Sequence, residues 1–237
     1  MCGRYTQTQS AAAIAQAFRL SGVPPTSPRY NIAPTQLVGT VVQTQLHPER
    51  QFRVMRWGLV PSWAKDPAIG NRLINARAET VAEKPSFRTA LRYRRCLIVA
   101  DGFYEWQREG RKKQPYYFQL EAHQPFGFAG LWEQWESKTT GEILETCTIL
   151  TTEANDILRP IHDRMPVILP PDAYERWLDP DLNRATDLLP LLQPYAAAEM
   201  VAYPVNPIVN RATNDRPECI QPLEQLHPNG KDDPAIL

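Results

Sequence analysis

Four runs of strand length follow one another through the middle of this chain, and they constrain the fold more than any other stretch. Cys96–Trp106, Tyr116–Leu120, Phe126–Trp132 and Glu142–Thr151 are rich in aromatic and aliphatic residues and are separated by short polar breaks. That succession predicts neighbouring strands of an antiparallel sheet. The break Gln107–Gln114, which contains Glu109-Gly110-Arg111-Lys112-Lys113, reads as a hairpin tip. In the first run Asp101, Phe103 and Glu105 alternate with Gly102, Tyr104 and Trp106, so Glu105 projects from a pleat among aromatic rings. A carboxylate there is either at a solvent edge or functionally placed. Partial desolvation would raise its pKa and let it carry a proton at neutral pH.

The flanking chain supplies smaller elements. Ser10 is placed to cap a helix over Ala11–Leu20, with Ile14 and Phe18 on its buried stripe, and Pro24, Pro25 and Pro28 stop it. Arg29-Tyr30-Asn31-Ile32-Ala33-Pro34 is expected to be an ordered loop, followed by strands at Leu37–Val42 and around Phe52–Val60. Trp57–Asp66 is an aromatic-rich turn whose tryptophans are either partly buried anchors or platforms on which bases stack. Asn75-Ala76-Arg77-Ala78-Glu79-Thr80 is short and polar, with Asn75 and Arg77 on one side if it is extended. The same spacing separates His162 from Arg164. Ser86 is placed to cap a basic helix over Phe87–Arg95. Further on, a helical turn is expected at Asn155–Leu158, helices near Pro171–Leu178 and Arg184–Leu192, a strand at Met200–Val205, and irregular chain from about Asp215. His162 lies between apolar residues and next to Asp163 and Arg164, and reads either as a structural histidine or as a proton carrier.

At 237 residues the chain can bury a sizeable core as one domain. It has no apolar run of the ~18–20 residues a membrane span requires and no basic-then-apolar leader, so a cytoplasmic protein is expected. Cys2, Cys96, Cys147 and Cys219 are scattered without metal-ligand spacing, which argues against a zinc site and a disulfide framework alike. The zero net charge hides an uneven distribution. Residues 1–115 carry 18 Lys and Arg against 7 Asp and Glu, and residues 116–237 carry 8 against 19. Either the first half presents a basic face to a polyanion, or the halves interleave and neutralise each other. No internal repeat and no glycine-rich phosphate loop is present.

The chain opens Met1-Cys2-Gly3-Arg4-Tyr5. A methionine before a small residue is normally excised, which would leave Cys2 with a free α-amine beside its thiol. Such a 1,2-aminothiol condenses with an aldehyde: the amine forms a Schiff base, and the sulfur then closes a five-membered thiazolidine. An α-amine of pKa ~7.7–8.0 keeps a neutral fraction near pH 7, whereas a lysine at ~10.4 does not. The bland alternative is an ordinary tail with a chance cysteine.

Six segments decide between these readings. Met1–Tyr5, Arg29–Pro34, Trp57-Gly58-Leu59-Val60-Pro61-Ser62-Trp63, Asn75–Thr80, Ala100-Asp101-Gly102-Phe103-Tyr104-Glu105-Trp106 and Ile161-His162-Asp163-Arg164-Met165-Pro166 together resemble the SOS-response-associated peptidase (SRAP) family. The resemblance runs in order over about residues 2–220. It implies an α+β single domain at 1–220, built on a curved, mostly antiparallel, open barrel-like β-sheet with peripheral helices, and an irregular tail at 221–237. It also implies a protein that binds single-stranded DNA and captures abasic sites covalently, with no cofactor and no metal, nucleoid-associated when it acts on DNA in the cytoplasm; a monomer is the default expectation. By motif position Cys2 resembles the nucleophile, Asn75 the group that orients its amine, Glu105 the proton shuttle and His162 the partner of the opening sugar. Arg4, Arg77 and Arg164 resemble phosphate-gripping arginines. Pro34, Trp63 and Trp106 fall where the family meets DNA, although Pro61-Ser62-Trp63-Ala64 departs from the paired tryptophans of some members. A thiol (auto)peptidase using Cys2 and a non-covalent reader of single-stranded DNA are the competing readings.

Overall fold

The computed structural model describes residues 2–110 and 112–223. The expected excision of Met1, the hairpin-tip residue Arg111 and most of the expected tail lie outside the described residues. In chain order the elements are β1 (Tyr5–Gln7), α1 (Ala11–Phe18), β2 (Arg29–Ile32), β3 (Leu37–Thr44), β4 (His47–Trp57), β5 (Asn75–Arg77), α2 (Arg88–Tyr93), β6 (Arg95–Ala100) and β7 (Gly102–Glu109). They continue as β8 (Lys112–Leu120), β9 (Phe126–Glu136), β10 (Ile143–Glu153), β11 (Arg164–Pro166), β12 (Ile168–Leu169), α3 (Tyr174–Leu178), α4 (Ala185–Leu188) and β13 (Met200–Pro204). This is an α+β single domain of curved, mostly antiparallel sheets that do not close into a barrel.

Two sheets share one interior. The five-stranded sheet runs β13-β8-β7-β1-β2, and the larger one runs β11-β10-β4-β3-β6-β9-β12 with β5 added on β10. The main apolar cluster lies between them: Cys2, Tyr5, Phe103 and Phe118 come from the first sheet, and Trp57, Ile98, Phe128, Cys147 and Ile149 from the second. Edge-to-face contacts of Tyr5 with Trp57 and Phe128 tie β1 across the layer. The short helices α1 to α3 pack on the other side of the larger sheet around Phe18, Leu97, Leu131 and Trp177.

The single strand expected over Cys96–Trp106 is in fact two strands in different sheets, separated at Asp101. All of β6 is buried, so its side chains show no alternation that would mark its end. Asp101 itself is buried and accepts from the Thr6 and Thr8 hydroxyls and from the backbone N–H groups of Thr8 and Gln9. These donors fix the corner at which the chain leaves one sheet for the other. Gly102 follows because a side chain there would collide with Tyr117, whose hydroxyl oxygen lies 2.1 Å from where a Cβ would stand.

Other boundaries also move. Arg29–Ile32, expected to be a loop, is strand β2, paired with β1 through Tyr5↔Ile32 and held by Asp215, which accepts from the N–H groups of Tyr30 and Asn31. The helix after Ser86 starts at Arg88, with Phe87 at the N-cap and no side-chain cap. The hairpin strands extend inward, β7 to Glu109 and β8 from Lys112, so the break is shorter than expected. Ser10 does cap α1, accepting from the Ala13 N–H.

The charged halves interleave. Arg29 pairs with Asp215 at 3.4 Å, Arg53 with Glu145 at 3.1 Å and Arg94 with Glu133 at 2.7 Å, each a cation of the first half on an acid of the second.

Candidate functional site

Strand β1 sits between β2 and β7, and this carries Cys2 into the interior. Cys2 is fully buried. Tyr5 is opposite Phe103 in register, and the Tyr104 N–H donates to the Arg4 carbonyl at 3.0 Å, so β7 runs alongside the N-terminal residues and brings Glu105 close to Cys2. Strand β5 approaches from the other sheet. Its parallel pairing with β10, Ile149↔Asn75, sets Asn75 so that its Nδ2 donates to the Cys2 carbonyl at 2.8 Å. The Asn75 Oδ1 is also buried, with no partner among the described residues. Three predicted residues, Cys2, Asn75 and Glu105, thus meet from three separate strands or strand ends.

Their electrostatics follow from burial. Glu105 is 3% exposed, and desolvation raises its carboxyl above the usual glutamate range, with His162 among the groups pulling the other way. The Cys2 thiol is pushed far above the ordinary cysteine range, first by burial and then by the nearby Glu105. A protonated thiol beside a carboxyl that binds protons readily is a pair between which a proton can be exchanged.

The site opens into a cleft of roughly 880 Å³ lined by Arg4, Glu105, Trp106, Arg108, Lys113 and His162, among others. Arg4 donates from Nη1 to Asn31 Oδ1 at 2.7 Å and to the Val209 carbonyl at 2.8 Å, and its guanidinium lies 5.8 Å from the Trp106 ring centre. Burial lowers its pKa. The Trp106 indole N–H donates to Asn210 at 2.7 Å. His162 lies in a turn, where its Nδ1 accepts from the Arg164 N–H at 3.0 Å and stands 3.0 Å from the Asp163 carboxylate.

The other two arginines that resemble phosphate-gripping ones differ. Arg77 shares β5 with Asn75 and is exposed, and its side chain makes no hydrogen bond among the described residues. Arg164 is forked onto Glu79 at 2.6 and 2.9 Å and also donates to the Thr151 carbonyl at 2.7 Å. The extended i, i+2 relation holds for Asn75 and Arg77 but not for His162 and Arg164, because His162 precedes β11 in a turn whose N–H bonds back to Leu158. Glu79 lies in one of the recognised segments, yet its role as the partner of Arg164 depends on a contact 85 residues away in sequence. Trp63 is 57% exposed and Pro34 is half-buried, and neither lines the cleft.

All four cysteines are buried and free. Among the described residues no group of three or more His, Cys, Asp or Glu side chains could hold a metal ion, and no helix is long and apolar enough to cross a membrane.

A buried cysteine next to the N-terminus is thus held by an asparagine and approached by a desolvated carboxyl that lines a cleft with Arg4, Arg108 and Lys113. The chain belongs to the SOS response associated peptidase (SRAP) family, whose model matches residues 1–212. It is 44% identical over 225 residues to the abasic site processing protein YoqW of Bacillus subtilis (strain 168), covering 93% of this chain and 99% of that protein. It is 38% identical over 228 residues to the abasic site processing protein HMCES of Gallus gallus, covering 83% of this chain and 67% of that one. Its fold matches a crystal structure of a protein from Bacteroides thetaiotaomicron with a TM-score of 0.82 at 29% identity, over 93% of this chain and 99% of the other.

Proposed function

We propose that this protein processes abasic sites in single-stranded DNA by capturing their ring-opened aldehyde on Cys2, which becomes the first residue once Met1 is removed. The observation that carries the reading is the convergence of Asn75 and Glu105 on a buried Cys2, since neither would be needed to seat a chance cysteine. The names of relatives that match almost the whole chain support the lesion as the substrate.

The chemistry follows from the protonation states. The thiol is held neutral by burial, so the α-amine attacks first and adds to the aldehyde carbon to form a carbinolamine. Desolvation shifts the Glu105 carboxyl toward its protonated form, and that form donates its proton as the C–O bond breaks, so that water leaves and a protonated imine forms. The resulting carboxylate then accepts the thiol proton as sulfur adds to the imine carbon. The imine nitrogen, which still carries its own proton, takes the electron pair of the C=N bond as the thiazolidine closes, and the thiol proton stays on Glu105 and regenerates the acid. Asn75 fixes the Cys2 backbone so that amine and sulfur stay on one side of the carbon under attack. His162, at the cleft wall, is assigned to the sugar hydroxyl that is freed as the ring opens. Arg4, Arg77 and Arg164 are assigned to backbone phosphates, and Arg164 must then exchange Glu79 for phosphate. Pro34, Trp63 and Trp106 are assigned to flanking bases.

The test is a denaturing gel of trimmed protein with an abasic oligonucleotide. Wild type is expected to give a shifted band without borohydride, whereas Cys2→Ala and a form with an uncleavable extra N-terminal residue give none. A wild-type yield from either variant contradicts the assignment. A non-covalent reader gives no shifted band at all.

A further inference from the structure

One wall of the cleft carries a charge arrangement that folding alone does not call for. Arg108 of β7 and Lys113 of β8 are directly opposite each other in register. Like charges so placed repel and weaken a hairpin. Both side chains are exposed, and neither has a carboxylate within salt-bridge distance among the described residues. Other cations of the same half, Arg29, Arg53 and Arg94, do have acidic partners. Trp106 lies two residues before Arg108, on the same face of β7. Arg4 sits against its ring on the inner side. All four residues line the same cleft as Glu105.

An aromatic face between cations set out along a strand matches a chain of stacked bases and phosphates rather than a single small anion. At ~3.4 Å per residue, Arg108 lies roughly 10 Å along the strand from Glu105, beyond the reacting nucleotide and over its neighbours. We propose that Arg108 and Lys113 form a phosphate-binding arm that holds the single strand next to the lesion on the hairpin side. The arm rests on the single-stranded DNA reading above and extends it to residues outside the six recognised segments. Its action is electrostatic and independent of base sequence.

The experiment measures binding of an unmodified single-stranded oligonucleotide over a series of salt concentrations, with the melting temperature of each protein recorded alongside. The proteins are wild type, Arg108→Ala/Lys113→Ala, Arg108→Glu/Lys113→Glu and the charge-keeping Arg108→Lys. Each phosphate contact contributes a slope of ~0.7 on a log–log plot, so the double alanine variant is expected to lose about 1.4. The double glutamate variant should bind more weakly still, and Arg108→Lys should keep the wild-type slope. The melting temperature of the double alanine variant should equal or exceed that of wild type, because a repulsive pair has been removed. Wild-type slope and affinity in the double alanine variant overturn the arm while leaving the parent reading intact. So does a lowered melting temperature, which makes the pair a structural part of the hairpin. Failure of wild type itself to bind the oligonucleotide overturns the parent reading and the arm with it.

Discussion

Asp101 and Glu105 are two buried carboxyl groups four residues apart on the same stretch of chain, and their surroundings separate structure from chemistry. Asp101 is at a corner between sheets and has four donors from Thr6, Thr8 and Gln9. Its charge is spent on holding the start of the chain in place. Glu105 lines the cleft and lies close to the buried Cys2, and there desolvation favours its protonated form. Burial by itself therefore does not identify a reactive acid. What distinguishes the two is their neighbours: backbone and hydroxyl donors for Asp101, and Cys2 for Glu105.

The largest effect that tests this contrast is on stability. Asp101→Ala strands one buried and three part-buried donors at ~1–3 kcal/mol each, so a loss of about 4 kcal/mol is expected. For a chain of this size that corresponds to a melting temperature lower by roughly 8–16 °C. A shift of only a degree or two would mean that the corner does not depend on Asp101. Glu105→Gln should leave the fold intact and instead slow Schiff-base formation by about 10²-fold, which single-turnover trapping with borohydride can measure.

The same substitution sharpens the comparison through pH. Glu105 has a raised pKa in the folded protein, so the native state holds its proton more tightly than the unfolded chain does. Its contribution to stability is complete below the ordinary glutamate pKa and is lost as pH rises through the elevated folded value. Melting curves should therefore show wild type losing stability relative to Glu105→Gln as pH rises above about 4.5, the starting value for an unperturbed glutamate. A difference that does not change with pH would place Glu105 in the same structural role as Asp101.

Smaller effects are expected at the arginines. Arg77→Ala and Arg164→Ala should each flatten the salt dependence of single-stranded DNA binding by ~0.7, without changing base preference. Only Arg164→Ala should also cost stability, by about 1 kcal/mol, because it removes the fork on Glu79 and one of the two donors to the Thr151 carbonyl, which keeps the Ala78 N–H. Glu79→Gln is expected to strengthen DNA binding slightly at low salt, since phosphate no longer competes with a carboxylate for the guanidinium fork. Weaker binding by Glu79→Gln would mean that the carboxylate orients Arg164 for phosphate and does not compete with it.

Much of this was legible in the residues because it depends on local pattern. The alternation Phe103, Glu105 against Tyr104, Trp106 located the carboxyl among aromatic rings, and the helix expected over Ala11–Leu20 from Ser10 and the Ile14/Phe18 spacing forms, ending two residues earlier at Phe18. The parts that were not legible depend on distant partners. Nothing near Asp101 shows that residues 6–9 will supply its donors, so the break between β6 and β7 was invisible. The Arg29–Ile32 strand exists because β1 pairs with it and Asp215 braces it, neither of which is encoded locally. At the site, Asn75, Glu105 and His162 were recognisable through family segments, but the Glu79 fork on Arg164 and the opposed Arg108 and Lys113 emerge only from register and tertiary contact.

In the proposed chemistry Cys2 closes a ring on the lesion aldehyde with both of its nucleophiles. Intact mass spectrometry of the trimmed protein with an abasic oligonucleotide tests it directly, followed by peptide mapping of the linked residue. One adduct is expected, equal to protein plus oligonucleotide less one water, located at Cys2, stable without borohydride and unreactive toward thiol alkylation after denaturation. An adduct at a lysine, or one at Cys2 whose thiol still alkylates, would contradict it.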